Sequence, residues 1–247
     1  MSSYASLAHF YDALTTDVPY VSMADYYENV FKRRNVPVKS ILDLACGTGT
    51  LTRLLAERGY DMIGADASPD MLSEAAEKTS DLVNRPLLLH QPMECLDLYG
   101  TVDAVICSLD GLNYARPDRI CEILRRVRLF LEPGGVFIFD IHTPSKLESL
   151  DGEVFVDETK DVFVLWRAEF DRLTAACRYG MDIFVREGKK WTRNREEHIE
   201  YAYEPAVLAK LLKDTGFEQI EICGDLTQEA PTEKDERLYI SARKPTA

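Results

Sequence analysis

Asp43-Leu44-Ala45-Cys46-Gly47-Thr48-Gly49-Thr50 is the stretch that decides the fold. A short apolar run, residues 40–45 (SILDLA), leads into it. Leu51, Leu54 and Leu55 follow on one helical face, and Gly59 is placed to stop that helix. A glycine turn between a strand and a helix lets the backbone approach a ligand closely, and the free amides at the helix start attract an anion. The same residues weaken two nucleotide signatures. A dinucleotide fingerprint, G-x-G-x-x-G, needs glycine where this chain has Thr52, and there is no G-x-x-x-x-G-K-[ST] phosphate loop.

Outward from this turn, strands and helices alternate. Residues 61–66 (DMIGAD) read as a second strand, and Ser68-Pro69 as a helix start with a hydroxyl cap and proline at the first helical position. Residues 86–90 (PLLLH), 102–107 (VDAVIC) and 136–141 (VFIFDI) read as the third, fourth and fifth strands. Between the last two, Ile120, Ile123, Leu124, Val127 and Leu131 recur at helical spacing up to Pro133-Gly134-Gly135. Short apolar strands separated by amphipathic helices predict an α/β fold, a doubly wound, mainly parallel seven-stranded sheet of Rossmann-like type. Ligands of such sheets sit beyond the carboxyl ends of the strands, which places 45–50, 66–68, 91–94, 108–114 and 140–144 around one cleft. Asp66, at the end of the second strand, is placed to accept both hydroxyls of a ribose.

After His142 the pattern changes to period two: Val162, Val164, Trp166, Ala168 and Phe170, then Tyr179, Met181, Ile183 and Val185, with Glu187-Gly188-Lys189 as a turn. This predicts an antiparallel β insertion of about three strands after the fifth strand, a lid over residues 143–203. Helical spacing returns at Val207, Leu208, Leu211 and Leu212, and residues 217–224 and 236–243 read as two more strands. The expected division is a ligand-binding domain of residues 1–142 and 204–247 carrying the lid 143–203.

Composition bounds the rest. The 247 residues are 46% hydrophobic and 29% charged, ordinary for a globular chain and unlike a disordered one. The longest apolar run is five residues, 162–166, whereas a membrane span needs roughly 20. No basic start precedes an apolar core at the N-terminus, so no leader is expected. Lys and Arg total 29 against 42 Asp and Glu, a net charge of −13, which disfavours nucleic acid as a partner. Cys46, Cys95, Cys107, Cys121, Cys177 and Cys223 form no C-x-x-C pair. They read as reduced thiols of a cytoplasmic protein with no metal site. There are no internal repeats or low-complexity tracts, and the sequence is compatible with a monomer or a homodimer.

The segment LDLACGTGTLTRLLAERGYDMIGADASPDMLSEA resembles the first two motifs of class I S-adenosylmethionine-dependent methyltransferases. The similarity runs from about Tyr4 to the C-terminus and includes Phe10-Tyr11-Asp12 and Asp17-Val18-Pro19-Tyr20. It is strongest to small bacterial methyltransferase-domain proteins with an antiparallel lid after the fifth strand. The resemblance implies S-adenosyl-L-methionine as cofactor, with S-adenosyl-L-homocysteine as product. It implies a cofactor set of Tyr11, Asp43, Ala45, Cys46, Gly47, Gly49, Asp66, Ala67, Gln91, Pro92, Met93 and Leu109. Within that set Asp43, Ala45 and Gly47 hold the methionine part, Asp66 the ribose, and Gln91, Pro92 and Met93 the adenine edge. Two positions depart from the pattern. Ala45 stands where many members have glycine, and Pro92 where relatives commonly have an Asp that accepts from the adenine amino group, leaving Gln91 to substitute.

Substrate-side candidates come from loops facing the transferred methyl group: Leu109, Asp110, Asn113 and Tyr114 after the fourth strand, Asp140 and His142 after the fifth, and Tyr11 and Tyr20 from the N-terminal segment. His142, Asp110 and Tyr20 are the candidate catalytic residues. For His142 the competing reading is a hydrogen bond at the start of the insertion, and for Asp110 and Asn113 it is helix and turn capping. Arg167, Arg178, Arg186, Arg193 and Arg195 suit either an anionic substrate or a solvated strand face. The expected function is methyl transfer to a small-molecule acceptor by direct in-line displacement. The alternatives are a non-catalytic cofactor-binding or partner-binding module, and an RNA or protein methyltransferase.

Overall fold

The computed structural model describes residues 7–246; residues 1–6, on which the leader expectation and the start of the similarity fall, and Ala247 lie outside it. Its centre is β1 (Ser40–Leu44), which pairs in parallel with β2 (Asp61–Asp66) on one side and β4 (Val102–Cys107) on the other. β3 (Leu87–His90) extends the sheet beyond β2, and β5 (Leu131–His142) lies parallel to β4. The C-terminal strands β10 (Glu218–Cys223) and β11 (Arg237–Arg243) close the sheet, β11 antiparallel to β5, giving the order β10-β11-β5-β4-β1-β2-β3. This is the seven-stranded, mainly parallel sheet that the alternation predicts.

Successive residues of a strand face opposite sides, so a sheet covered on both faces needs apolar residues at every position. Leu42, Leu44, Val105, Cys107, Phe137 and Phe139 pack on one face against α5 (Ile120–Phe130) and α7 (Pro205–Asp214). Ile41, Ala104, Ile106, Val136 and Ile138 pack on the other against α2 (Tyr20–Arg33) and α3 (Thr50–Glu57). The Ser68 hydroxyl caps α4 (Pro69–Lys78), accepting from the Met71 amide at 3.3 Å.

A second sheet follows β5. Thr143 caps a short helix, α6 (Pro144–Ser149), and four strands then run β6 (Val154–Glu158), β7 (Val162–Asp171), β8 (Ala176–Glu187) and β9 (Lys190–Tyr201), each antiparallel to the next. The expectation of about three strands omits β6, an edge strand whose residues are mostly exposed and so carry no burial alternation. β8 and β9 meet at a two-residue turn with Gly188 at φ +65°. The inner face of this sheet, with Val162, Val164, Met181 and Ile183, packs on Leu7 and on Phe10, Tyr11 and Leu14 of α1 (Ala8–Leu14). The chain's N-terminal helix is thereby held under the second sheet. Among the described residues no helix is long and apolar enough to cross a membrane.

Ile106→Ala, in the fully buried centre of β4, is expected to cost about 2–5 kcal/mol of stability. Leu173→Ala, in an exposed turn, should stay within about 0.5 kcal/mol. Urea unfolding with an unchanged m-value checks both.

Candidate active site

The strand order reverses between β1 and β4, so the segments following them diverge and leave a crevice at their carboxyl ends. A cleft of about 610 Å³ opens there, within the size range of small-molecule and cofactor sites. Its floor is the β1–α3 turn, where Ala45, Gly47 and Gly49 take left-handed φ of +61°, +53° and +73°. The two glycines serve different ends. Gly47 lines the cleft, whereas Gly49 does not, and a Cβ on Gly49 would lie 2.8 Å from the Ala75 Cβ of α4. Ala45 occupies a left-handed position that glycine takes without the cost of about 1 kcal/mol or more, which explains why glycine is usual in the motif.

Asp66 ties this turn to the next loop. Its Oδ2 accepts from the Gly47 amide at 2.9 Å and its Oδ1 from the Ser68 amide at 2.8 Å. Each oxygen keeps a second lone pair for a ligand hydroxyl. Asp43 is buried beneath the turn and accepts from the Thr52 hydroxyl at 2.5 Å. Burial pushes its carboxyl up to about 7, with the charge of Asp66 adding to the effect. Thr52, the residue that breaks the dinucleotide fingerprint, is thus the partner that holds Asp43.

Ala67, Gln91, Pro92 and Met93 form one wall, the last entering a 3₁₀ turn, Met93–Cys95. The Gln91 side chain lines the cleft but is already engaged: its amide donates to the Asp97 carbonyl at 3.1 Å and accepts from the Asp97 amide at 2.9 Å. It fastens the loop rather than standing free to replace the carboxylate that Pro92 lacks. Glu94, on the same wall, supplies a carboxylate two residues further on.

Tyr11, Tyr20, Cys46 and Leu109 also line the cleft, with Ser108, Tyr114 and Arg116 beyond them. Burial raises both the Tyr11 and the Tyr20 phenols, so they stay protonated. The second sheet contributes Glu197, Ile199 and Tyr201 of β9. A polar latch that sequence reading missed holds α1 in place. Asp12 accepts from Thr48 at 2.7 Å and lies 2.5 Å from the Lys78 ammonium, which also donates to Thr48 at 3.0 Å and Thr50 at 2.5 Å.

Asp110, Asp140 and His142 do not line the cleft; they stand behind it around Arg237. Leu109 and Asp110, both at φ +53°, donate their amides to the two Asp140 oxygens at 2.8 and 2.9 Å. Arg237 pairs with Asp140 and reaches Asp110 and His142 Nε2, each at 2.8 Å. Nε2 therefore accepts, and Nδ1–H donates to Glu200 at 3.0 Å. Burial opposes a charge on this ring, but Asp110 and Glu200 raise its pKa overall, so acidification breaks the Arg237 contact. Asp110, His142 and Glu200 have the donor atoms of a metal site within 4.8 Å of one another, yet two of the three, Asp110 and His142, are already bonded to the Arg237 guanidinium. The expectation that 140–144 border the cleft fails for the same reason: β11 places Arg237 opposite His142 and fills that end. Asn113 is occupied as well, donating to the Tyr201 carbonyl at 3.0 Å and accepting from the His142 amide at 3.1 Å. Nothing in the sequence marked Arg237 or Glu200, because both come from strands distant in the chain.

Residues 41–135 match the family described as a methyltransferase domain. The chain is 32% identical to the putative methyltransferase YqeM of Bacillus subtilis (strain 168), across 98% of this chain and 97% of that one. It is similar in structure to a S-adenosylmethionine-dependent methyltransferase from Clostridium acetobutylicum ATCC 824, with a TM-score of 0.88 and 31% identity, covering 98% of this chain and 99% of the other. A glycine/sarcosine N-methyltransferase of Parasynechococcus marenigrum (strain WH8102) is 28% identical over 81% of this chain and 70% of its own length.

Two outcomes follow from the charges. Arg237→Gln strips the buried Asp140 and Asp110 of their counter-charge and is expected to cost about 3–5 kcal/mol in urea unfolding, with Arg237→Lys losing less. The folded Asp43 holds a proton between the ordinary carboxylate range and about pH 7 that the unfolded chain has released, so its contribution to stability falls as pH rises through that window. Without added ligand, Asp43→Asn should match wild-type Tm near about pH 4 and exceed it increasingly toward about pH 8.

Proposed function

The chain belongs to the S-adenosylmethionine-dependent methyltransferases, and we propose that it methylates a small-molecule acceptor at an amine nitrogen by in-line displacement. The observation that carries this is a cleft of about 610 Å³ that Tyr11 and Tyr20 line together with Glu197, Ile199 and Tyr201 of β9, a volume that suits a small molecule. In this reading Asp43 and the backbone of Ala45, Cys46 and Gly47 hold the methionine part of the cofactor. Gly49 keeps α3 close to α4. Asp66 holds the ribose, Ala67, Pro92 and Met93 pack on the adenine, and Glu94 accepts from its amino group in place of the missing Asp. Leu109 borders the methyl end.

The bound cofactor supplies a sulfonium methyl already activated for displacement. The protein's part is then to orient the acceptor and exclude water. His142 and Asp110 are committed to Arg237, so their role is to position the Leu109 loop rather than to take a proton. Tyr11 and Tyr20, kept protonated, offer phenol oxygens as hydrogen-bond acceptors to an incoming nitrogen. An amine carries its own lone pair when neutral and needs no strong base, unlike an alcohol. The name of the glycine/sarcosine N-methyltransferase relative supports a small amine. The net charge of −13 suits a metabolite better than nucleic acid. Six free thiols, four of them buried, suit a reducing cytoplasm. We read residues 143–203 as the lid of this site and 1–142 with 204–247 as the cofactor domain.

Calorimetric titration with S-adenosylmethionine and S-adenosylhomocysteine, with NADH as control, tests the cofactor roles. Wild type should bind the first two selectively. Asp66→Ala should weaken both at least about tenfold, the loss expected when hydrogen bonds to a charged group are removed, and unchanged affinity in that variant would overturn the ribose assignment. A radiolabelled-methyl screen of small amines and alcohols then tests the acceptor, and labelling confined to alcohols would overturn the amine reading.

A further inference from the structure

The lid carries a group of charges that the cleft does not use. Residues paired across an antiparallel sheet share a face. Leu165, Asp182 and Arg195 therefore form one row across β7, β8 and β9, with Phe163, Phe184 and Arg193 on one side of it and Arg167, Gly180 and Glu197 on the other. Asp182 is the buried member, its side chain 5% exposed. The guanidinium groups of Arg167, Arg193 and Arg195 all end on it, at 2.8, 2.6 and 3.1 Å. These three arginines hold the Asp182 carboxyl down to about 2.

One carboxylate balances one guanidinium. Three arginines on one aspartate leave a local positive excess on a chain whose net charge is −13. The arginines are also ordered in advance. Asp182 anchors each head group, and Arg193 lies over the Phe184 ring at 5.7 Å, so much of the rotamer entropy a ligand would otherwise have to remove is already lost. They spend four N–H contacts on Asp182, against five donors on each guanidinium. Their side chains remain 49%, 45% and 73% exposed. Between Arg167 and Glu197 the sheet has a notch at Gly180, where a Cβ would meet nothing within 4 Å. Glu197 lines the mouth of the cleft, and Arg195 lies two residues back along the same strand, about 7 Å at the rise of an antiparallel strand.

We propose that Arg167, Arg193 and Arg195, held by Asp182, form an anion subsite that takes the phosphate groups of a phosphorylated acceptor whose nucleophile enters the cleft. A phosphate or diphosphate presents several oxygens in the geometry that guanidinium forks bind in pairs. Glu197, paired with Arg178 at 2.6 Å, stands between the arginines and the cleft. The assignment rests on the reading of the cleft as a small-molecule methyltransferase site.

The test is calorimetry at low ionic strength with inorganic pyrophosphate and, in parallel, uridine diphosphate, on wild type, Gly180→Glu and the double variant Arg193→Gln, Arg195→Gln. Gly180→Glu places a carboxylate among the arginines without a steric clash. Wild type should bind both probes, and both variants should lose at least tenfold, while S-adenosylhomocysteine binds all three proteins within twofold. Tighter binding of uridine diphosphate than of pyrophosphate supports an organic phosphorylated acceptor. Equal affinity overturns that in favour of an inorganic anion. Wild type that binds neither probe, or variants that bind as wild type does, overturns the subsite and leaves the arginines as lid ion pairs. Binding of a single-stranded oligonucleotide without either small probe overturns it in favour of a nucleic-acid partner. Wild type that binds pyrophosphate but not S-adenosylhomocysteine places the failure in the cofactor reading instead.

Discussion

Everything at the functional end of this protein hangs from the carboxyl ends of β1 and β4, adjacent parallel strands at which the strand order reverses. The segments leaving them cannot follow one another and so leave a cleft that no element of the core fills. The sheet tolerates this gap because its centre is secured elsewhere, with β1, β4 and β5 covered by apolar side chains on both faces. The stable part of the molecule is its double-sided core. The reactive part is the edge where that core ends.

Three of the seven non-glycine residues at left-handed φ among the described residues lie at the same edge. Ala45, Leu109 and Asp110 are non-glycine residues in the left-handed region, each an unfavourable conformation that surrounding contacts must enforce. The first sits in a turn bound to Asp66 through Gly47. The other two have their amides held by the fully buried Asp140, which Arg237 in turn balances. Asp140 and Arg237 thus act on the cleft without touching it, by deciding where the loop after β4 stands. The C-terminal strand, which looks like a simple closing element, carries the counter-charge on which that loop depends.

Charge is distributed with equal purpose. The acidic groups behind the cleft have one guanidinium among them, whereas one aspartate on the lid has three. A protein of strongly negative net charge therefore has a positive place on the second sheet, a short distance from the cleft mouth. The second sheet also packs on the apolar face of α1, while Asp12 and Lys78 latch that helix to the turn after β1. One short helix thus bridges the second sheet and the β1–α3 turn.

The sequence by itself determined the sheet and the floor of the site. Burial on both faces requires apolar runs, so β1, β2 and β4 were readable to within a residue, whereas β5 begins at Leu131, five residues before the predicted start, because Leu131 fits the helical spacing and Pro133-Gly134-Gly135 reads as a turn. The glycine turn and Asp66 were readable because their geometry is local, set by residues adjacent in the chain. The edge strand β6 was not, since exposed positions carry no pattern. Only the tertiary structure decided what His142, Gln91 and the lid arginines do. His142 meets Arg237 across 95 positions of chain through the register of β5 with β11, and a slip of one residue would face it the other way. Which of the five lid arginines converge on Asp182 depends likewise on the pairing of β7, β8 and β9. Local chemistry writes the turn; register between distant strands decides which side chains share a face, and no spacing along one strand reveals it.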